Sequence, residues 1–267
     1  MEIQLWKELL APYQLAVNEL MVKFNYLIKE HRSSGQYSPI EEVNGRVKKI
    51  SSILEKMQKK KIKFEDIETK IEDIAGIRII CQFVEDIDTV VNIIKNRSDM
   101  IVKEEKDYIS NSKPSGYRSY HLIVYYDVIT LQGTKRINVE IQIRTLAMNF
   151  WATIEHSLKY KYEHYIPETL AVRLRRAADA AFLLDQEMSE IREDIMKAQV
   201  MYQVKSVTLR DVLDKIQELY NVGETHKAII YQRRLDKVDN ERDITEIIQL
   251  KKEIDSLLEE YKHKVDN

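Results

Sequence analysis

The sequence predicts an α+β protein, and three observations predict it. Stretches with apolar residues three to five apart open and close the chain, whereas residues 77–145 are dense in β-branched and aromatic residues. Glycine and proline together number only ten in 267 residues, well under the ~12% of an average soluble chain.

Residues 1–31 predict an amphipathic helix on Leu5, Leu9, Leu15, Leu20, Phe24, Leu27 and Ile28. Ser33-Ser34-Gly35-Gln36 breaks it. A second helix is expected from Ser38-Pro39 to about Lys60, with Ser38 at the cap and Glu41 in capping-box position. Its apolar stripe is Val43, Ile50, Ile53, Leu54 and Met57, and Lys48, Ser52 and Lys56 lie four apart on another face. Taken alone, that basic stripe fits a solvated helix face. Residues 77–83 read as a strand, 85–96 as a crossing helix and 100–107 as a second strand. Residues 117–130 and 136–145 form a hairpin turning at Gly133, with Val139, Ile141 and Ile143 on one side and Asn138, Glu140, Gln142 and Arg144 on the other. Helical periodicity returns at 146–162 and at 168–202, with alanine- and leucine-rich residues 172–185 expected to pack on the sheet. Beyond residue 204, Gly223 interrupts a helix, and Ile247, Leu250, Ile254, Leu257 and Tyr261 follow a 3,4 spacing of about two heptads. That tail reads as an added helical element packing on the core or on another subunit.

Composition excludes several classes of function. The six glycines are so scattered that no two lie within nine residues, so neither glycine-rich phosphate loop is present. A balance of 42 basic against 44 acidic residues argues against a bulk electrostatic grip on nucleic acid. The single cysteine, Cys81, permits no intramolecular disulfide and suits a reducing compartment. Charges throughout the first 30 residues, and the lack of an 18-residue apolar run, lead us to expect neither a signal peptide nor a membrane span, and hence a cytoplasmic location.

Three clusters carry potential chemistry. Glu72-Asp73-Ile74-Ala75-Gly76-Ile77-Arg78 places an acidic pair at a strand entrance, where a carboxylate can bind Mg²⁺ or simply end a helix. Lys113-Pro114-Ser115-Gly116-Tyr117-Arg118-Ser119-Tyr120-His121 mixes rings and cations beside a glycine, which suits base stacking with phosphate neutralisation, or an ordinary surface loop. Glu140-Ile141-Gln142-Ile143-Arg144-Thr145 runs on into Asn149, Trp151, Glu155 and His156.

Together, in this order and spacing, the clusters resemble the synthetase domain of the RelA/SpoT-type alarmone synthetases, most like the stand-alone RelQ group, over about residues 1–203. Residues 204–267 lie outside the resemblance. It implies a nucleotidyltransferase-like fold, a mixed, largely antiparallel sheet of about five strands flanked by helices. It also implies transfer of pyrophosphate from ATP to the ribose 3′-hydroxyl of GDP or GTP, giving (p)ppGpp and AMP in the bacterial stringent response. By that resemblance Asp73 is a Mg²⁺ ligand, and Glu140 joins it or takes the 3′-hydroxyl proton. Arg46 and Arg78 stack on adenine, while Lys48, Ser52 and Lys56 meet the ATP phosphates. On the acceptor side Tyr117 stacks on guanine, Asn149 reads its edge, and Lys106, Lys113, His121 and Gln142 position phosphate or ribose, with a buried structural role for His121 left open. Relatives often carry arginine where Lys106 stands, which keeps charge and loses the bidentate fork.

No His-Asp dipeptide of the family's hydrolase is present, so synthesis without degradation is expected. A homotetramer and a capacity for single-stranded RNA are also implied. In some RelQ-type relatives a central cleft binds pppGpp. The matching positions here are Met21, Asn25, Ile28 and Glu42, which predicts weak or absent activation. Two other readings stay open: a toxic relative using an adenine nucleotide or tRNA as acceptor, and an RNA-binding regulator with minor catalysis.

Overall fold

A computed structural model of the chain describes residues 2–161, 167–237 and 244–265. The expected end of one helix at Tyr162 lies outside the described residues, as does the side chain of Tyr261. The chain divides into two compact units, residues 1–190 and 191–267.

Within the first unit the elements run α1 (Glu2–Ser33), β1 (Glu42–Val47), α2 (Ile50–Lys60), a 3₁₀ turn at Phe64–Asp66, α3 (Ile67–Lys70), β2 (Ala75–Cys81), α4 (Val84–Lys95), β3 (Met100–Asp107), β4 (Tyr120–Thr130), β5 (Gly133–Thr145), α5 (Leu146–Lys161) and the start of α6 (Glu168–Asn221). The five strands lie in the order β1-β2-β5-β4-β3, antiparallel except for the β2–β5 pair. This is the mixed, largely antiparallel α+β sheet that the sequence predicts. One face is apolar. Val43, Ile77, Ile79, Ile141, Ile143, Leu122 and Val124 are buried there with Tyr13, Val17, Leu20 and Phe24 of α1 and Ile87, Val90 and Ile94 of α4. Each fully buried isoleucine or leucine contributes about 1.5–3 kcal/mol relative to exposure.

The second helix is shorter than expected, because residues 42–47 form β1 in place of its first turns. Ser38 does not cap a helix; its hydroxyl donates to the Ile40 carbonyl. Val43 and Val47 are β-branched, Gly45 is a poor helix former, and Glu42–Val47 complete an antiparallel ladder on β2 that a helix would forgo. Gly45 also seats α1. A Cβ there would fall 2.7 Å from Val17 Cγ1 and 2.9 Å from Met21 Cγ. Gly45→Ala should therefore lower stability by about 1–3 kcal/mol through overpacking. A urea midpoint equal to that of the parent chain would refute the close fit.

The α6 segment over residues 172–185 packs differently from expectation. Leu183 and Leu184 are exposed, whereas Ala178 and Asp185 are buried. Ala178 joins Trp151 and Ala152 of α5, and Asp185 accepts a 2.7 Å bond from the Thr145 hydroxyl, which also caps the Met148 amide. Small and hydrogen-bonding residues face inward because the backbones approach closely here.

In the second unit, the end of α6 packs with α7 (Thr225–Leu235) and α8 (Ile244–Val265) around Val212, Ile216, Leu219, Ala228, Ile247, Leu250, Ile254 and Leu258. Gly223, at φ +89°, turns the chain between α6 and α7. The 3,4 stripe of α8 thus faces helices of its own unit. Lys215–Asp255, Lys251–Asp211 and Arg234–Glu253 ion pairs flank it. No helix among the described residues is long and apolar enough to cross a membrane.

Candidate active site

Strand register assembles the site on the sheet face opposite α1. β5 sits between β2 and β4, so Arg78 and His121 both lie opposite Gln142, and Gly76 lies opposite Glu140. β1 places Asn44 opposite Arg78 and Arg46 opposite Gly76, while β3 places Lys106 opposite His121. Directly opposite residues share a face, so two polar rows run across the sheet. A cavity of about 240 Å³ opens over them, lined by Asn44, Gly45, Arg46, Asp73, Gly76, Ile77, Arg78, Glu140 and Gln142. Gly76 leaves its floor open, because the nearest atoms to a Cβ there would be those of Arg46, 3.8 Å away or more.

Asp73, in the turn before β2, binds Lys48 Nζ at 2.8 Å through Oδ2 and Lys56 Nζ at 2.7 Å through Oδ1. Burial works against its charge, but the two ammonium groups outweigh it and hold the carboxyl below the usual range. Lys48 just precedes α2 and Lys56 lies within it, and both reach the cavity edge through Asp73, whereas Ser52, between them on α2, makes no hydrogen bond to the site among the described residues. The solvated-face reading of that stripe does not describe Lys48 and Lys56, whose side chains are about one-fifth and one-quarter exposed and turned onto Asp73.

Glu140 is held on both oxygens. His121 Nδ1 lies 3.1 Å from Oε1, and Gln142 Nε2 donates to Oε2 at 2.8 Å. Burial raises its pKa, but the His121 and Gln142 contacts lower it further, leaving a carboxylate below its ordinary range. Tyr117 closes the cluster, with its hydroxyl 2.8 Å from His121 Nε2. Its ring meets Tyr108 and His121 edge to face and carries Lys113 Nζ 4.9 Å from its centre. The preceding Gly116, at φ +88°, brings this loop against α6, where a Cβ would fall 2.6 Å from Ala178 Cβ. Arg118 fastens the same loop to the Ala178 carbonyl and to Asp179.

Two buried polar atoms lack a hydrogen bond among the described residues, Arg78 Nε and Asn149 Oδ1. Buried polar groups are nearly always satisfied, and both atoms belong to residues that the sequence nominates for substrate. The Arg78 pKa is pushed down by burial and by the neighbouring charges of Arg144 and Arg46. That accumulation of cations suits an anionic or π-rich ligand.

The structure thus brings Arg46, Lys48, Lys56, Asp73, Arg78, Lys113, Tyr117, His121, Glu140 and Gln142 into one connected region. Lys106 reaches the row by register while its ammonium is turned to Glu104 at 2.8 Å. Asn149 stands in the first turn of α5. Sequence reasoning did not nominate Tyr108, and it placed Arg144 in a carboxylate, amide and guanidinium series suited to a ligand cleft without giving it a role. Tyr108 offered no motif of its own, whereas Arg144 lies on the polar side of the β5 alternation and was legible as a member of it.

Asp185 is coupled to this region through Thr145. Burial raises its pKa to about 6, against the opposing Thr145 hydrogen bond and the Arg118 charge. Since the unfolded value is 3.8, its contribution is fully present below about pH 4 and lost as pH rises through about 6. Asp185→Asn should remove that loss, raising stability above pH 6 by up to about 3 kcal/mol. Thermal melts of both proteins from pH 4 to 8 that stay parallel would disprove it.

A family profile described as "Region found in RelA / SpoT proteins" matches residues 45–165. The chain is 52% identical over 205 residues to the GTP pyrophosphokinase YjbM of Bacillus subtilis, covering 77% of this chain and 97% of that protein. It is similar to the crystal structure of small alarmone synthetase 1 from Bacillus subtilis bound to its product pppGpp. That match has a TM-score of 0.70 and 53% identity, covering 72% of this chain and 98% of the other. The same synthetase bound to AMPCPP matches with TM-score 0.65 and 49% identity, over 73% of this chain and 99% of the other. With half of all residues shared across nearly the full length of such a relative, two of the three motifs lining one cavity and the third joined to it through His121 and Glu140, the chain belongs to the RelA/SpoT family, among its small alarmone synthetases.

Proposed function

We propose that the chain is a GTP pyrophosphokinase, transferring the β,γ-pyrophosphoryl group of ATP to the ribose 3′-hydroxyl of GDP or GTP. The observation that carries this reading is the gathering of Arg46, Asp73, Arg78, Glu140 and Gln142 in one cavity along the β2–β5 seam. In the reaction the 3′-oxygen bonds to the β-phosphorus, the bond from that phosphorus to the α-phosphate oxygen breaks, and AMP departs with its electron pair. The hydroxyl proton goes to a base, for which Glu140, an anionic carboxylate on the cavity wall, is placed.

Arg46 and Arg78 stack on the adenine, a role supported by the unsatisfied Arg78 Nε. Lys48, Ser52 and Lys56 meet the polyphosphate. In doing so the lysines exchange one anion, Asp73, for another. Two carboxylates at one cavity match the donor set of Mg²⁺, which prefers oxygen and completes its shell with substrate phosphates and water. Asp73 and Glu140 would hold it, and it would supply neutralisation of polyphosphate charge. Tyr117 stacks on guanine, and the unsatisfied Asn149 Oδ1 accepts from its N–H edge. Lys106 and Lys113 meet acceptor phosphates, while His121 and Gln142 act through Glu140, onto which both are turned.

Every residue given a role lies between Arg46 and Asn149, inside the first compact unit; by resemblance the synthetase part extends over residues 1–203, with 204–267 an appended helical element. By resemblance the chain works as a homo-oligomer, a tetramer, in the cytoplasm, and the exposed apolar side chains Phe150 and Ile154 on α5 and Leu183 and Leu184 on α6 are available to such contacts. Incubation of the purified chain with ATP, GDP and Mg²⁺ should yield AMP and a 3′-pyrophosphorylated guanosine nucleotide in equal amounts. Product only with ADP or tRNA as acceptor would replace this reading.

Activation by pppGpp should be below about twofold. Met21 packs toward Gly45, Ile28 is buried, and the Asn25 amide donates to the Met21 carbonyl, leaving few groups to hold an anion. A several-fold rate increase with micromolar pppGpp would contradict this.

A further inference from the structure

We propose that Arg144 is a positioning residue for the transfer, a buried guanidinium that sets the direction of every hydrogen bond reaching Glu140. The inference rests on the reading of Glu140 given above and adds a residue to which no role has been assigned.

Arg144 is 4% exposed and, among the described residues, forms no ion pair. Its Nε donates to the Ser119 hydroxyl at 3.2 Å, and its Nη2 donates to both Tyr117 Oη and Gln142 Oε1, the latter at 2.9 Å. All three partners are neutral. A buried cation bonded only to neutral groups is costly to keep, and its field falls on what those groups bond next. Two of the three, Tyr117 and Gln142, lead to the same carboxylate.

The five residues form a closed ring. Arg144 bonds Tyr117, Tyr117 bonds His121, His121 bonds Glu140, Glu140 bonds Gln142, and Gln142 returns to Arg144. Guanidinium has only donors and does not lose its proton in proteins. That fact, together with the acceptor-only carboxylate of Glu140 on the far side, orders the ring. On one arm, the Gln142 carbonyl must face Arg144, so its amide nitrogen faces Glu140 and the otherwise ambiguous amide orientation is fixed. On the other arm, Tyr117 Oη accepts from Arg144 and sends its own proton to His121 Nε2. His121 then carries its proton on Nδ1, directed at Glu140 Oε1. Both carboxylate oxygens become acceptors, with the remaining lone pairs left for the cavity side. A neutral residue at position 144 would let the amide turn over and the phenol rotate. Each change would put an acceptor against the carboxylate.

The test combines a spectroscopic readout that does not depend on turnover with steady-state kinetics. Imidazole ¹⁵N shifts of the wild-type chain, assigned through His121→Gln, should show His121 with Nδ1 protonated and Nε2 bare. An Nε2–H tautomer would overturn the proposal whether or not the chain makes alarmone. In Arg144→Met the two tautomers should mix, and kcat should fall about 10–100-fold with KM for ATP changed less than twofold, the size usual for removing an outer partner of a site group. Arg144→Lys should recover part of kcat, since charge returns without the fork. Unchanged tautomer and kcat in Arg144→Met, with only the melting temperature lowered, would make Arg144 a packing residue. If Arg144→Met does not fold, Tyr117→Phe cuts the same arm, and retention of the Nδ1–H tautomer there would refute the relay. Wild-type protein with the expected tautomer but no pyrophosphoryl transfer would defeat the enzymatic reading and leave the ring intact.

Discussion

Asp73→Asn is expected to lower the rate of pyrophosphoryl transfer about a thousandfold, corresponding to the several kcal/mol that a metal-held charge contributes to a polyphosphate transition state. The side chain keeps its shape, and the carboxylate charge is lost. Lys48 and Lys56 lose their counter-ion together, because each is bonded to one oxygen of the same carboxyl. Both are partly exposed, so the cost to stability should stay near 1–2 kcal/mol. The variant should therefore fold and be inactive. It should also bind a non-hydrolysable ATP analogue at least as well as the parent in the absence of metal, since the lysines no longer have Asp73 as a competitor for phosphate. Calorimetric titration with AMPCPP and a turnover assay test both halves, and a near-normal rate would sink the assignment of Asp73.

Glu140→Gln should reduce kcat by roughly 10²–10⁴, the range associated with loss of a positioned acid or base. Its effect on structure should be larger than its size suggests. Both oxygens of Glu140 accept, from His121 Nδ1 and from Gln142 Nε2, and a glutamine amide would present N–H to one of those donors. One bond must break or the ring must reverse, for a further loss of about 1–3 kcal/mol in stability. Glu140→Gln should thus melt lower than Asp73→Asn while both lack activity. Equal melting temperatures would show that the ring does not depend on the carboxylate.

The elements with strong local periodicity were legible from sequence. Over Val139–Ile143 the alternation is found on β5, with Glu140 and Gln142 partly exposed between buried Val139, Ile141 and Ile143, because a pleated strand imposes a period of two, whereas Asn138 and Arg144 are buried as well. The β1 segment was not legible. Six residues with an exposed, mostly polar pattern carry little local preference, and their ladder with β2 lies across an intervening helix and turn. Register decides the site in the same way. Arg46 is nominated by the resemblance, but nothing local says that it stands opposite Gly76, beside Arg78 and across from Glu140. The ring through Tyr117, His121, Glu140, Gln142 and Arg144 joins residues from a loop and two strands, so its closure is a property of tertiary structure alone.

The single parallel ladder has a consequence for how activity is acquired during folding. β3, β4 and β5 follow one another as a meander, and β1 and β2 form a second local assembly. The two are joined where Ala75–Cys81 meets Val139–Thr145, more than sixty residues away along the chain. Ladders of such separation are entropically the slowest to close. Arg78 with Asp73 belongs to one assembly and Glu140 with His121 to the other, so catalytic competence arrives with the last seam. Refolding followed by activity should lag behind refolding followed by helix content.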